Sequence, residues 1–185
     1  LYKNDGVGNF TQFGGFNDYI PESCGLIGGD VGFLDFDGDA DLDLIVTGFT
    51  YDCTYSMAAG TINGAVTILY ENDGLGNFTP ALNQPFQQSE KSSLAIADID
   101  GDQDMDVIIS GVDAMTSINI YINDSGIFQS LSHSITGVRN GDIIFSDLDG
   151  DGDQDLIISG EDDMGQNQTL VYSNDGTANF TEVQN

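Results

Sequence analysis

Short apolar runs punctuate the whole chain, and their spacing repeats. Gly32-Phe33-Leu34, Leu94-Ala95-Ile96 and Ile143-Ile144-Phe145 each stand just before an acidic stretch. Leu44-Ile45-Val46, Val107-Ile108-Ile109 and Leu156-Ile157-Ile158 stand just after it. These runs are rich in β-branched residues and lack polar alternation, which predicts strands buried on both faces. No window sustains a 3.6-residue period, so almost no helix is expected.

A second repeat lies out of phase with the first. Leu1-Tyr2-Lys3-Asn4-Asp5-Gly6 leads to Phe10, and Leu69-Tyr70-Glu71-Asn72-Asp73-Gly74 leads to Phe78. A degenerate copy, Ile120-Tyr121-Ile122-Asn123-Asp124, leads to Phe128, and Val171-Tyr172-Ser173-Asn174-Asp175-Gly176 leads to Phe180. Each reads as a hairpin: a strand with Tyr, an Asn-Asp-Gly type of turn, and a strand with Phe. Asn9, Asn77 and Asn179 stand in Asn-Phe-Thr triplets, and we read them as turn residues rather than glycan acceptors.

Tyr70, Tyr121 and Tyr172 are 51 residues apart, whereas Tyr2 precedes Tyr70 by 68. One unit therefore runs strand A, acidic loop, strand B, polar connection, strand C with Tyr, and strand D with Phe. A four-stranded unit of this length has the size of a β-propeller blade. The prediction is one all-β, propeller-type repeat domain over 1–185, of three full blades and an N-terminal half blade. Residues 1–13 form the C–D hairpin of the incomplete blade. Blades follow at 30–80, with an insertion at 49–64, then at 92–130 and 141–183. The unpaired half blade and the start at Leu1 rather than Met suggest a processed or partial chain, or a first blade completed by another chain. Phe13, Phe16 and Tyr19, in the first connection, are expected to pack between blades.

The acidic stretches carry the chemistry. Asp falls at positions one, three, five, seven and nine of each: Asp35, Asp37, Asp39, Asp41, Asp43; Asp98, Asp100, Asp102, Asp104, Asp106; and Asp147, Asp149, Asp151, Asp153, Asp155. Five carboxylates in nine residues repel one another unless a cation sits among them. Lys3, Lys91 and Arg139 are the whole basic complement and cannot serve three such loops. All-oxygen donors on a flexible loop favour calcium over magnesium, with three ions expected. Side-chain ligation is assigned to positions one, three, five and nine, and the backbone carbonyl to position seven. The glycine at position four (Gly38, Gly101, Gly150) allows the turn. An EF-hand is excluded, because position twelve is Val46, Ile109 or Ile158 and a strand follows.

The formal charge of −28 argues against nucleic acid and anionic membranes as partners, and three calcium ions would leave about −22. No run approaches the roughly 20 apolar residues of a membrane span. Cys24 and Cys53 flank the first A–B pair, and antiparallel pairing of Leu34 near Leu44 would bring them together as a disulfide. That bond, like millimolar calcium, points to an extracellular or cell-surface location.

The Asp-x-Asp-Gly-Asp-x-x-x-Asp-Leu pattern of Asp35–Leu44 and Asp147–Leu156, with Met105-Asp106-Val107 as a close variant, resembles FG-GAP/VCBS repeats. Those repeats form the blades of integrin-type β-propellers. The Leu-Tyr-x-Asn-Asp-Gly hairpin is similar to the version in secreted and surface proteins of bacteria. The resemblance spans nearly the whole chain and implies a calcium-stabilised blade array with the ligand positions given above. Such propellers usually close with seven blades, more than this chain supplies. The leading functional expectation is a non-enzymatic module for adhesion, binding a protein or glycan ligand, with Tyr51 and Tyr55 of the insertion as contact residues. A subunit that assembles with copies of itself into a filament or surface layer is the alternative. A polysaccharide lyase or hydrolase ranks third, because Lys3, Lys91, Arg139 and His133 form no clustered motif.

Overall fold

The structure, a computed structural model, describes residues 2–12, 25–55 and 60–183. Its strands are β1 (Tyr2–Asn4), β2 (Phe10–Gln12), β3 (Val31–Leu34), β4 (Asp43–Tyr55), β5 (Gly60–Asn72), β6 (Phe78–Pro80) and β7 (Glu90–Ala97). They continue as β8 (Asp106–Val112), β9 (Thr116–Asp124), β10 (Ile127–Leu131), β11 (Arg139–Ser146), β12 (Asp155–Glu161), β13 (Asn167–Asn174) and β14 (Phe180–Glu182). There is no helix among the described residues. β1 and β2 pair alone, and three four-stranded antiparallel sheets follow, each in sequence order: β3 to β6, β7 to β10 and β11 to β14.

The period-two geometry of strands divides each sheet between two neighbours. The cross-strand row Gly32–Ile45–Leu69 faces the second sheet. There it joins Leu94, Val107, Ile109, Tyr121 and Phe128 in one buried cluster. Gly32 leaves room for the second sheet: a Cβ there would lie 2.5 Å from Ile96 Cδ1, which would have to move. The opposite row of the second sheet, Ala95–Ile108–Ile120, is buried with Ile143, Leu156, Ile158 and Tyr172 of the third. The equivalent row of the third sheet, Ile144–Ile157–Val171, meets no further sheet among the described residues, and Ile144 is 50% exposed.

This corrects one expectation. β7 and β8 are largely buried on both faces, but β3 and β11 are not. Val31 and Phe33 are exposed, as is Ile144, because each lies on a face without a four-stranded neighbour among the described residues. Tyr2 and Phe10 of the β1–β2 hairpin are exposed for the same reason. Across the first loop Leu34 pairs next to Leu44, with Asp43 opposite Leu34 and Leu44 opposite Phe33.

A second correction concerns 49–64. Residues 49–55 and 60–64 are not a polar connection but the continuation of β4 and β5, each 13 residues long against 7 and 9 in β8 and β9. A register shift falls between Thr50 and Cys53, after which Cys53 pairs with Ile62 and Tyr55 with Gly60. The Cys24–Cys53 disulfide, the Tyr55 side chain, and the packing of Phe13, Phe16 and Tyr19 lie outside the described residues.

Two repeated residues acquire reasons. Gly48, Gly111 and Gly160 take φ of 147°, 156° and 155° beside the irregular start of each first strand. A Cβ on Gly111 would lie 2.9 Å from the Glu90 carbonyl oxygen, and one on Gly160 2.8 Å from that of Arg139. The repeated Tyr holds the incoming connection. Tyr121 Oη accepts the Gln87 N–H (2.6 Å), and Tyr172 Oη accepts that of Thr136 (3.2 Å).

Candidate metal centre

Each acidic loop folds as a ladder of carboxylates on backbone N–H groups, and the ladder is the same in all three. The position-one carboxylate spans the turn. Asp35 Oδ1 accepts the Gly38 N–H (2.9 Å) and its Oδ2 that of Ala40 (3.0 Å). Asp98 does the same for Gly101 (2.8 Å) and Gln103 (3.0 Å), and Asp147 for Gly150 (2.7 Å) and Gly152 (3.2 Å). Position three accepts from position five, and position five from position seven. The curl gathers carboxylate oxygens inward. One oxygen each from Asp35, Asp37 and Asp39 lie within 4.8 Å of one another. The same holds for Asp98, Asp100 and Asp106, and for Asp147, Asp149 and Asp155.

Position four takes φ of 79°, 82° and 82° at Gly38, Gly101 and Gly150, as its residue type requires. Position six is left-handed too, at Ala40 (73°), Gln103 (80°) and Gly152 (100°). Only the third loop places glycine there. A side chain in this region costs about 1 kcal/mol or more, so A40G and Q103G are each expected to stabilise the protein by about that amount. Urea unfolding of the single variants measures this, and unchanged midpoints would contradict it.

Position seven turns away from the centre. Asp104 Oδ2 accepts the Ser125 N–H at 2.8 Å, in the hairpin turn of its own sheet. Asp41 and Asp153 lie against Gly74 and Gly176 of the corresponding turns, where a Cβ would collide with the carboxylate. These side chains brace the turn, which leaves their backbone carbonyls for ligation.

Position nine is the buried member, with Asp43, Asp106 and Asp155 at most 1% exposed. Asp106 Oδ2 accepts the Ile99 N–H (2.9 Å) and Oδ1 that of Asn123 (2.8 Å). Asp43 holds Phe36 (3.0 Å) and Asn72 (2.8 Å) in the same way, and Asp155 holds Leu148 (2.9 Å) and Asn174 (3.0 Å). Burial pushes the Asp106 carboxyl up to about 7, against the pull of its two N–H donors and with help from Asp100 and Asp102. Burial also raises Asp43, and, together with Asp102, Asp100. Carboxylates held this way are poised to gain from a cation, whose charge reverses the penalty.

The donor set is oxygen throughout, without thiolate or imidazole, and fits a hard divalent ion. The basic residues do not supply that charge in a repeated way: Arg139 is engaged by Glu161 at 3.3 Å. His133 is also engaged, with Nε2 donating to the Ile118 carbonyl (3.1 Å) and Nδ1 accepting the Ile135 N–H (3.2 Å). The turn asparagines are confirmed in their local role: Asn77 and Asn9 each donate to the turn Asp at 2.7 Å, and Asn179 at 2.9 Å. A groove of about 310 Å³ opens beside the second loop, lined by Asp100, Asp102, Asp124, Gln129 and Ser130. Of the expected contact residues, Tyr51 is 65% exposed on β4, its ring 4.7 Å from that of Phe49.

Sequence reasoning missed two features: the burial of position nine, and the side-chain bonds that Asn123 and Asn174, near the ends of β9 and β13, make to the preceding sheet. The only sequence signal of these asparagines was recurrence before each turn Asp. A scan of family models and a search of curated proteins found no match to this chain.

Proposed function

We propose that this chain is a calcium-stabilised array of propeller-type blades that serves as a non-enzymatic binding module outside the cell, of the FG-GAP/VCBS kind. The observation that carries the reading is the threefold acidic loop, with its three converging carboxylate oxygens and the same hydrogen-bond ladder each time. Calcium matches the oxygen donors and is abundant outside cells. The long β4–β5 arm extends about six residues beyond the strands of its neighbours, some 20 Å at strand rise. With the Phe49–Tyr51 pair on it, the arm is the natural contact surface for a protein or glycan.

Calcium titration calorimetry tests the metal reading. Three ions are expected for the natural sequence and two for the double variant D147A/D151A, with magnesium binding more weakly. Unchanged stoichiometry in the variant would refute the ligand assignment. Binding of the chain to a glycan array in calcium, lost on Y51A, would support the contact surface. Product release from a polysaccharide panel would instead favour an enzyme.

One observation favours a second reading, a self-assembling subunit. The uncovered row Ile144–Ile157–Val171 occupies the register of Ala95–Ile108–Ile120, the row that a following sheet covers within this chain. A second copy, presenting Val31 and Phe33 of its first sheet, would cover it in the same way. Light scattering would then show species larger than a monomer, dispersed by I144D.

A further inference from the structure

The three acidic loops are joined to one another by buried hydrogen bonds. Asn123, whose backbone N–H is held by Asp106, sends its side chain across to the first sheet and donates from Nδ2 to the Phe36 carbonyl at 2.9 Å. Phe36 is position two of the first loop, and its own N–H is held by Asp43. The pattern repeats one sheet further on. Asn174, held by Asp155, donates from Nδ2 to the Ile99 carbonyl at 2.8 Å, and Ile99 is position two of the second loop, held by Asp106. The Ala178 N–H reaches the same carbonyl at 2.9 Å. Both asparagines are buried. In the first sheet, where the preceding β1–β2 hairpin carries no acidic loop, the equivalent Asn72 donates to Leu42 of its own loop instead (3.0 Å).

A route of peptide and carboxylate groups thus runs Asp43, Phe36, Asn123, Asp106, Ile99, Asn174, Asp155. Position two lies between the first two ligand positions. Its backbone sets how Asp35 stands against Asp37, and Asp98 against Asp100. Drawing those carboxylates onto an ion fixes that backbone, and with it the carbonyl on which the next sheet's Asn rests. That Asn in turn fixes one of the two N–H groups on the next loop's buried carboxylate. Such bonds are strong where water is excluded.

We propose that the three cation sites are energetically coupled, an ion in one loop raising the affinity of its neighbour, with Asn123 and Asn174 as the positioning residues that transmit the effect. The proposal rests on the calcium reading above, and coupling of this type is reciprocal. It makes the metal a fastener between sheets as well as within them.

The amides of Phe36, Ile99 and Leu148 each donate to the position-nine carboxylate of their own loop, so each reports one site. Calcium titration of the chain near neutral pH, followed at these amides by NMR, gives three separate curves. Emptying the first loop with D35N/D37N is expected to move the Ile99 curve to calcium concentrations about fivefold higher or more. Adding N123A is expected to remove that dependence, so that the curves with the first loop intact and emptied coincide. An Asn with a merely structural role would weaken the second site yet leave its dependence on the first. N174A asks the same of the second and third loops, should N123A fail to fold. An Ile99 curve unmoved by D35N/D37N overturns the coupling while the calcium reading stands. No movement of any of the three amides in calcium overturns both.

Discussion

Stripped of divalent ions with a chelator, the protein is expected to lose stability as pH rises from about 4 to 7, and in calcium that trend should reverse. The driver is the buried Asp106. Its carboxyl is raised to about 7 in the folded chain, from an ordinary value of 3.8. Between those values the folded state holds a proton that the unfolded chain has released, so folding weakens with rising pH until the folded group ionises. The full span is worth about 4 kcal/mol for this one group. Asp43, raised by the same cause, adds to it. The turn carboxylates work the other way. Asp5 and Asp73 are lowered first by their Asn side chains, and Asp175 first by Thr177. What they contribute is present above the ordinary carboxylate range and is lost only in acid, so it is constant from pH 5 upward. Calcium binds the ionised loop and turns the penalty into a gain. Thermal melts at pH 5 and pH 8, each in chelator and in calcium, test this. The chelated protein should melt lower at pH 8 than at pH 5, and the calcium effect should be larger at pH 8. A chelated protein equally stable at both, or indifferent to calcium at pH 8, would contradict the mechanism.

The parts of the fold legible in the sequence are those encoded locally. An Asp-rich loop with glycine at position four and an Asn-Asp-Gly turn declare themselves within ten residues, and their alternation places every sheet. Position six escaped notice because Ala40 and Gln103 accept a left-handed backbone that only Gly152 advertises. In the sequence the 49–64 segment looks like a long polar connection between strands B and C. Its Thr and Tyr residues favour strands, and pairing of β4 with β5 was decided by the partner rather than by either run alone. The exposed faces of β3 and β11 were unreadable for a related reason: an apolar run shows what can be buried, not whether a neighbour is there to bury it. The same limit hid the role of Asn123 and Asn174. As turn residues they look local, yet their amides bond to carbonyls far away in the chain, at Phe36 and Ile99.

Within one loop the aspartates differ in what they hold besides an ion, and substitution should separate position nine from position five. Replacing Asp106 removes the shared acceptor of two buried N–H groups, those of Ile99 and Asn123. Each buried donor left unsatisfied costs about 1–3 kcal/mol, so D106A is expected to lose roughly 2–6 kcal/mol in chelator at pH 5, where the Asp106 carboxyl is protonated and its removal relieves no buried charge. D106N is isosteric but offers one acceptor oxygen where two N–H groups converge, and its amide N–H₂ would face a donor. It should still lose at least about 1 kcal/mol for that donor. Asp102 makes the contrasting case. It is exposed and accepts the Asp104 N–H at 2.8 Å. D102A should cost about 1 kcal/mol or less in chelator, offset in part by relief of repulsion within the loop, while still weakening calcium binding. Urea unfolding in chelator paired with calcium titration distinguishes the two residues. Equal losses of stability for D106A and D102A would mean that position nine is an ordinary ligand, and that burial of its carboxylate is not what ties the loop to the hairpin.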